Sequence, residues 1–251
     1  VVMGIMLIGI VVQKKENVLK GIRLFTVIPQ EYLHGICKIG IPTALQGMVY
    51  CFISMILTRM VSGFGAEAIA TQRVGGQIES ISWNTADGFG AALNAFIGQN
   101  YGAGKMDRVK KGYKASLWTV GIWGLLITLL FVFAPHKIAG IFFHEQKAIE
   151  TAVGYLAIVG WSEAFLGVEM MTVGALSGLG KTRLCSIISI TFTAMRVPVA
   201  VLLSRTVLGL NGIWWTITVT SVVKGILFVI TFLWLTGKHG KKEADRITAC
   251  K

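Results

Sequence analysis

The chain has 251 residues, of which 54% are hydrophobic and 14% are charged, and its formal net charge is +12. Soluble domains carry about 25% charged residues, so this composition, with a mean hydropathy of +0.68, argues against a soluble protein with a large core. The positive charge does not indicate nucleic-acid binding, because most of the 24 Lys and Arg residues lie in alternate loops between long apolar segments. That pattern predicts an all-α polytopic membrane protein.

The chain opens with an apolar run, residues 1–12, that is too short to cross a bilayer, since a spanning helix needs about 20 residues. The run also lacks the basic start and the cleavage site of a signal peptide. We interpret it as the end of a truncated transmembrane helix and expect the chain to be part of a longer protein. Residues 13–38 follow as a polar, basic cytoplasmic loop, with a short interfacial helix expected from about Gln30 to Gly35.

Six transmembrane spans are predicted in residues 39–236, each from a long apolar run bounded by glycine, proline or basic residues. A loop is expected at residues 135–146, and a basic tail at residues 237–251. The strings GQNYGAGK and SGLGKT are predicted to form tight turns between adjacent spans. The expected spans are residues 39–61, 67–98, 115–134, 148–176, 183–203 and 213–236.

The distribution of basic residues predicts the orientation. Lys and Arg are concentrated before the first span, after the second, after the fourth and after the sixth. The positive-inside rule places these segments in the cytoplasm. We therefore expect a multi-pass protein of the plasma membrane with a cytoplasmic C-terminus.

The second span carries two acids, Glu79 and Asp87. A carboxylate inside a bilayer is costly, so it usually faces a protein interior or a watery cavity and is functional. The two acids are about 80° apart around a helix, and both are candidates for a proton- or cation-coupling site. A hydrogen-bonded polar seam that only holds helices together is the alternative. Further cavity candidates on this span are Gln77, Trp83, Asn84 and Asn94.

The fourth span carries Glu163 and Glu169, about 120° apart on a helix, so we do not expect both to face one cavity. Both are coupling candidates, and Glu169 is nearer the middle of the span. Two bases, Arg196 and Lys224, fall inside the fifth and sixth spans and are candidates for structural ion pairs. For Arg196 we expect Glu169 or Glu163 as the partner, whereas Lys224 has the alternative of extending to a membrane interface.

Gln46 and Tyr50 lie one turn apart on the first span and are candidates to line the same cavity. Met170 on the fourth span is a candidate for apolar contact with a hydrophobic ligand. Ordinary helix packing is the alternative for all three residues.

Four strings resemble the multidrug and toxic compound extrusion (MATE) family: AIATQRVGGQIES, GFGAALNAFIGQNYGAGKMDRV, EMMTVGALSGLGKTR and LGLNGIWW. The resemblance implies twelve spans in two six-helix lobes, of which this chain corresponds to the C-terminal lobe. It implies an antiporter that exports small amphipathic organic cations in exchange for H⁺ or Na⁺, with no other cofactor. The partners implied are the lipid bilayer and an N-terminal six-helix lobe, without which this lobe is not expected to complete an alternating-access cycle.

Family members place a coupling carboxylate in the fourth helix of this lobe, a position that Glu163 or Glu169 matches here. Some Na⁺-coupled members also have a glutamate in the first helix of the lobe. The corresponding segment of this chain reads GIPTALQGMVYCF, with Gln46 and Tyr50 instead. That departure argues against a Na⁺ site of this particular type.

Two other functions compete with cation export. A flippase for a lipid-linked saccharide would favour a more cationic cavity, whereas four acids and two bases within the predicted spans favour cationic ligands. An intramembrane enzyme would need a catalytic set such as paired histidines or a Ser/His pair within the spans, and all the histidines lie in loops or tails, so no catalytic residue is predicted. The four cysteines are scattered without a C-x-x-C spacing, so no metal site is predicted either. The histidines are His34, His136, His144 and His239.

Overall fold

The computed structural model describes residues 30–237, and this part of the chain is entirely α-helical. Five of its helices are long and apolar enough to cross a membrane, which confirms the prediction of an all-α polytopic membrane protein. A further helix, α2 (Ala66–Gly102), has sufficient length, but it is not among the five because it carries many polar residues. The helices are α1 (Gln30–Ser62), α2 (Ala66–Gly102), α3 (Met106–Phe133), α4 (Pro135–Phe142), α5 (Gln146–Gly178), α6 (Thr182–Ser204) and α7 (Gly209–Thr236).

Two predicted boundaries differ from the structure. Helix α1 begins at Gln30, so the short interfacial helix expected there is the first part of a continuous helix rather than a separate element. No proline interrupts residues 30–41, and the helix continues past Pro42, whose missing N–H removes one backbone hydrogen bond without ending the helix. The loop expected at residues 135–146 contains helix α4, which starts at Pro135. Proline suits the first helical position because its fixed φ is already helical and its missing N–H is not needed there.

The chain divides between Lys38 and Ile39 into two units. The described part of the first unit is the exposed beginning of α1, residues 30–38. The second unit contains the rest of α1 and the other helices, and every contact described below lies within it. The predicted segments 1–29 and 238–251, with the truncated helix and most of the basic tail, lie outside the described residues.

Both predicted glycine turns are present. Gly104 follows the end of helix α2 with φ 72°, and Gly180 follows the end of helix α5 with φ 73°. Lys105 N–H donates to the Asn100 carbonyl at 2.8 Å, and Lys181 N–H donates to the Leu176 carbonyl at 2.9 Å. These are the bonds of the Schellman motif, which needs a left-handed residue that glycine adopts without strain.

Helix α5 is the central helix of the second unit and packs against α2, α3 and α7. Its contact with α2 has almost no room for side chains. A Cβ atom on Gly174 would lie 2.2 Å from the Gly90 carbonyl oxygen, and one on Gly178 would lie 2.6 Å from the Asn94 carbonyl oxygen. Small residues of this kind let membrane helices approach until their backbones touch. We call this α2–α5 contact the glycine seam.

Helix α1 is much less buried than α5. Its buried apolar residues are Ile53, Leu57 and Val61, all in the C-terminal half of the helix. They pack with Ala68 of α2 and with residues of α6 and α7. The preceding turns of α1 have no buried residue, and their inner side borders a cavity.

Candidate functional site

A cavity of about 540 Å³ lies among α1, α2, α5, α6 and α7. This volume falls within the range of about 300–1,000 Å³ that is common for small-molecule sites. Its apolar lining is interrupted by charged, hydroxyl and amide groups. The lining residues are Thr43, Gln46, Gly47, Tyr50, Ile53, Ser54, Leu57, Gln72, Gly76, Glu79, Trp83, Tyr155, Val159, Ser162, Leu166, Glu169, Met170, Ser189, Thr193, Arg196, Ile217, Ser221 and Lys224.

Helix α2 presents one stripe to the cavity, formed by Gln72, Gly76, Glu79 and Trp83. The spacing of three and four residues keeps these positions on one face of a helix. The neighbouring face carries the small residues that pack against α5, such as Gly90. The sequence of α2 therefore separates a ligand-accessible stripe from a packing stripe.

Glu79 is buried in the cavity wall and has a specific partner. The Tyr155 hydroxyl of α5 donates a hydrogen bond to Glu79 Oε1. The Tyr155 ring is fixed by Trp214, whose ring meets it edge-on with centroids 5.1 Å apart. It also lies against Gly75, where a Cβ atom would lie 2.2 Å from Tyr155 Cε1. Glu79 thus has one oriented donor, and the described residues place no Lys or Arg within 4 Å of its carboxylate.

Glu169 and Lys224 form a buried ion pair across α5 and α7, with 2.8 Å between Oε1 and Nζ. The other carboxylate oxygen, Oε2, is buried and has no hydrogen-bond partner within the protein. Glu169 therefore carries one satisfied oxygen and one oxygen that remains able to accept a proton or a cation. The expected pairing of Arg196 with Glu169 or Glu163 was wrong, because Lys224, one turn beyond Ser221 on α7, reaches Glu169 instead.

Arg196 is held by hydroxyl groups. Its Nε donates to Thr220 Oγ1 at 3.0 Å, and its Nη2 donates to Ser221 Oγ at 2.8 Å. The side chain is 8% exposed and lines the cavity. Between residues 30 and 237, no Asp or Glu lies within 4 Å of the guanidinium, so the bonds that position this base are to neutral groups.

Glu163 lies behind the cavity wall and is fully buried. Neither of its oxygens makes a hydrogen bond within the protein, although Ser82 and Trp83 of α2 lie beside it. An unpaired carboxylate is very costly in such a place, so Glu163 stays a candidate for binding a proton or a cation. The expectation that Glu163 and Glu169 do not face one cavity agrees with this placement.

The other predicted site residues fall into two groups. Gln46, Tyr50, Trp83 and Met170 line the cavity with Glu79 and Glu169. A second polar face of α2 is exposed and lies outside the cavity. It contains Gln77, Asn84, Asp87 and Asn94.

Several hydroxyl residues that shape the site were not predicted. Tyr155 orients Glu79, while Thr220 and Ser221 orient Arg196. Ser162, Ser189 and Thr193 line the cavity. Hydroxyl groups within apolar spans were the available signal, but most of them bond to a carbonyl of their own helix, so hydroxyl content does not by itself distinguish a site from packing.

A family model and individual relatives both match this chain. The MatE family model matches residues 42–202. The probable multidrug resistance protein NorM of Thermotoga maritima is 31% identical over 216 residues, which cover 82% of this chain and 45% of that protein. The probable multidrug resistance protein YoeA of Bacillus subtilis is 28% identical over 198 residues, covering 78% of this chain and 42% of that protein.

Solved structures share the fold. The MATE transporter VcmN of Vibrio cholerae in its bent form superposes with a TM-score of 0.75 at 20% identity, covering 98% of this chain and 54% of that one. The chain thus spans about half the length of the curated relatives it matches.

Proposed function

Because the chain belongs to the MATE family of membrane transporters, we propose that it forms one lobe of a secondary active exporter of amphipathic organic compounds. In this proposal the cavity binds the exported molecule, and H⁺ or Na⁺ moving in the opposite direction drives the cycle. The C-terminus is cytoplasmic, and the lobe needs a second six-helix lobe to alternate between the two sides of the membrane.

Glu79 carries the proposal. It is a buried carboxylate in the wall of a cavity of drug size, with a single oriented hydroxyl donor and no described Lys or Arg within 4 Å, although Arg196 acts on it electrostatically. Such a group binds an organic cation or a proton, but not both at once, because each neutralises the same charge. This competition is the physical basis of antiport: arrival of the coupling ion removes the charge that holds the substrate.

Glu169 and Glu163 supply two further positions for the coupling ion. Glu169 lines the cavity and its Oε2 atom has no hydrogen-bond partner within the protein, and Glu163 lies within electrostatic reach of Glu79. We propose that ion binding at these acids and substrate binding at Glu79 exclude each other. Asp87 remains a separate candidate on the exposed face of α2, where it would act through whatever packs against that face.

Transport by inside-out vesicles tests the proposal. The protein is expressed from its complete reading frame, and the uptake of a fluorescent organic cation is followed under an imposed proton gradient and then under a sodium gradient. We expect uptake under one of the two gradients and a loss of at least about tenfold in Glu79→Gln, since that change removes a charge-assisted contact.

Glu67→Gln is the matched control, because Glu67 is on the same helix but pairs with Lys147 at the surface, 3.0 Å away, and lies outside the cavity. Exposed pairs of this kind contribute little to stability, so transport should persist. Equal uptake by wild type and Glu79→Gln would remove Glu79 from the mechanism. Absence of uptake under either gradient, with correctly inserted protein, would refute organic-cation export.

A further inference from the structure

Arg196 is a positive charge in the cavity wall that no described carboxylate neutralises by contact. We propose that its guanidinium binds a carboxylate of the exported molecule, so that the preferred substrates are amphipathic zwitterions rather than simple cations. The inference rests on the proposed export function and specifies the substrate class of the same cavity.

The geometry of Arg196 leaves donors available for a ligand. A guanidinium has five N–H donors in a planar fork. Two hydrogen bonds from Arg196 to Thr220 and Ser221 of α7 fix the plane of the group. The Nη1 donors make no hydrogen bond to a described residue. A fixed plane with free donors is the arrangement that binds a carboxylate in bidentate fashion.

The charges around Arg196 also favour an anion. Lys224 is close enough to Arg196 to interact with it electrostatically, so two positive charges lie on this side of the cavity. Glu169 is the nearby acid, and one of its oxygens is occupied by Lys224 at 2.8 Å. Two bases therefore lie beside one acid here, while Glu79, the other acid in the cavity wall, acts on Arg196 electrostatically but not by contact. An unpaired charge is costly in a desolvated site, and a ligand anion gains most there.

The cavity also has an opposite pole. Glu79 lines the same space as Arg196, and no described base touches it. A molecule with both a cationic and an anionic group would neutralise both poles, whereas a simple cation would leave the guanidinium uncompensated. The two apolar residues Leu166 and Ile217, which also line the cavity, offer contact to the body of such a molecule.

Helix packing alone does not require a charge at this position. The Thr220 and Ser221 hydroxyls would accept hydrogen bonds from a neutral amide equally well. Thr220 Oγ1 already donates to the Thr216 carbonyl of its own helix at 2.7 Å. A purely structural base buried in a membrane would be expected to have a carboxylate partner, as Lys224 has.

A matched pair of dyes tests the inference: a rhodamine with a free carboxylate and the methyl ester of the same rhodamine. Both carry the cationic xanthene body, and only the acid carries the anion. Binding to the whole protein, purified in a nonionic detergent, is measured by fluorescence polarisation. We expect wild type to bind the acid about tenfold tighter than the ester, the worth of one good charge-assisted contact.

Arg196→Gln should abolish that preference by weakening only the acid, while Arg196→Lys, which keeps the charge but not the fork, should retain part of it. Equal affinity of wild type for the two dyes would overturn the inference without any variant, even if Arg196→Gln fails to fold. An equal loss of affinity for both dyes in a folded Arg196→Gln variant would assign Arg196 a structural role instead.

Two further outcomes separate this inference from the proposed function. Gradient-driven uptake of the ester with no preference for the acid would support the export function but overturn the preference for zwitterionic substrates. Uptake of neither dye would overturn both. If dodecyl phosphate competes with the dyes more strongly than dodecanoate does, the proposal that Arg196 binds a carboxylate would be overturned. The ligand would then be a phosphate-bearing lipid.

Discussion

The glycine seam and the cavity lie on two sides of the same helix, α5, and are built from opposite kinds of residues. At the seam, Gly174 and Gly90 bring two backbones into contact. At the cavity, Glu169 and Ser162 of α5 face a space of about 540 Å³. Lipid is as apolar as a helix surface, so burial of apolar groups does not hold membrane helices together. The close backbone contact provides the cohesion that a polar, open site cannot.

The division follows from the helical period. The α5 residues Val159, Ser162, Leu166 and Glu169 recur every three or four positions and line the cavity. Met171 lies on the buried side of α5, in the core formed with α2, α3 and α7. A single helix thus fixes the position of the cavity relative to the core. The comparison predicts that changes at the seam lower the stability of the fold. Changes in the cavity should instead alter ligand binding and ion coupling while the fold remains stable.

The largest expected effect on stability comes from the cavity rather than from the seam, because the cavity wall contains a buried ion pair. Lys224→Met leaves Glu169 buried without its partner, and breaking such a pair costs about 3–5 kcal/mol of unfolding free energy. The double variant Lys224→Met with Glu169→Gln removes both charges and should recover most of that loss. Thermal unfolding in detergent, monitored by size-exclusion of a fluorescent fusion, measures both. Additive losses in the double variant would show that the two side chains do not interact.

The seam can be tested by adding one methyl group. Gly174→Ala places a Cβ atom 2.2 Å from the Gly90 carbonyl oxygen. The backbones must separate, and we expect a loss of about 1–3 kcal/mol, the usual cost of overpacking, seen as a lower unfolding temperature.

Gly154→Ala is the control on the same helix, because a Cβ atom there has no heavy atom within 4 Å. That change should be neutral or slightly stabilising, since alanine favours helices over glycine. Equal stability of the two variants would show that α2 and α5 are not in backbone contact.

A smaller effect on stability, with a clear effect on function, is expected from Tyr155→Phe. The change removes the hydroxyl that donates to Glu79 but keeps the ring that packs on Trp214. One lost hydrogen bond lowers the unfolding free energy by about 1 kcal/mol. Because Glu79 loses its only oriented donor among the described residues, gradient-driven uptake should fall while the amount of inserted protein does not. Unchanged uptake would indicate that the orientation of Glu79 does not matter.

Much of the helical pattern could be predicted from the sequence because long apolar runs and glycine turns are local signals. The Schellman turns at Gly104 and Gly180 follow directly from the strings that contain them. Helix α4 was missed because its eight residues are too short for a periodic signal. A helix starting at about Gln30 was expected, but its continuation into the first span was missed, because the polar and basic residues up to Lys38 predict a loop.

The site was less predictable because it depends on which side chains meet. The acids Glu79 and Glu169 were identified from the cost of burying them, and both line the cavity. The partner of Arg196 was wrong because two bases compete for Glu169, and only the relative rotation of α6 and α7 decides between them. Which side chains the hydroxyls of Tyr155, Thr220 and Ser221 contact likewise depends on how the helices are rotated relative to one another.

The variant Asp87→Asn tests whether the exposed face of α2 is a third functional region, and it has the smallest expected effect on stability. Asp87 is exposed and outside the cavity, so Asp87→Asn should change the unfolding free energy by less than about 0.5 kcal/mol. The sequence nevertheless predicts α2 to be a membrane span, where a carboxylate is costly to keep without a role. We therefore expect gradient-driven uptake to fall while dye binding to the cavity in detergent remains intact. Wild-type uptake by Asp87→Asn would confine the mechanism to the cavity, and loss of dye binding would place Asp87 within reach of the substrate.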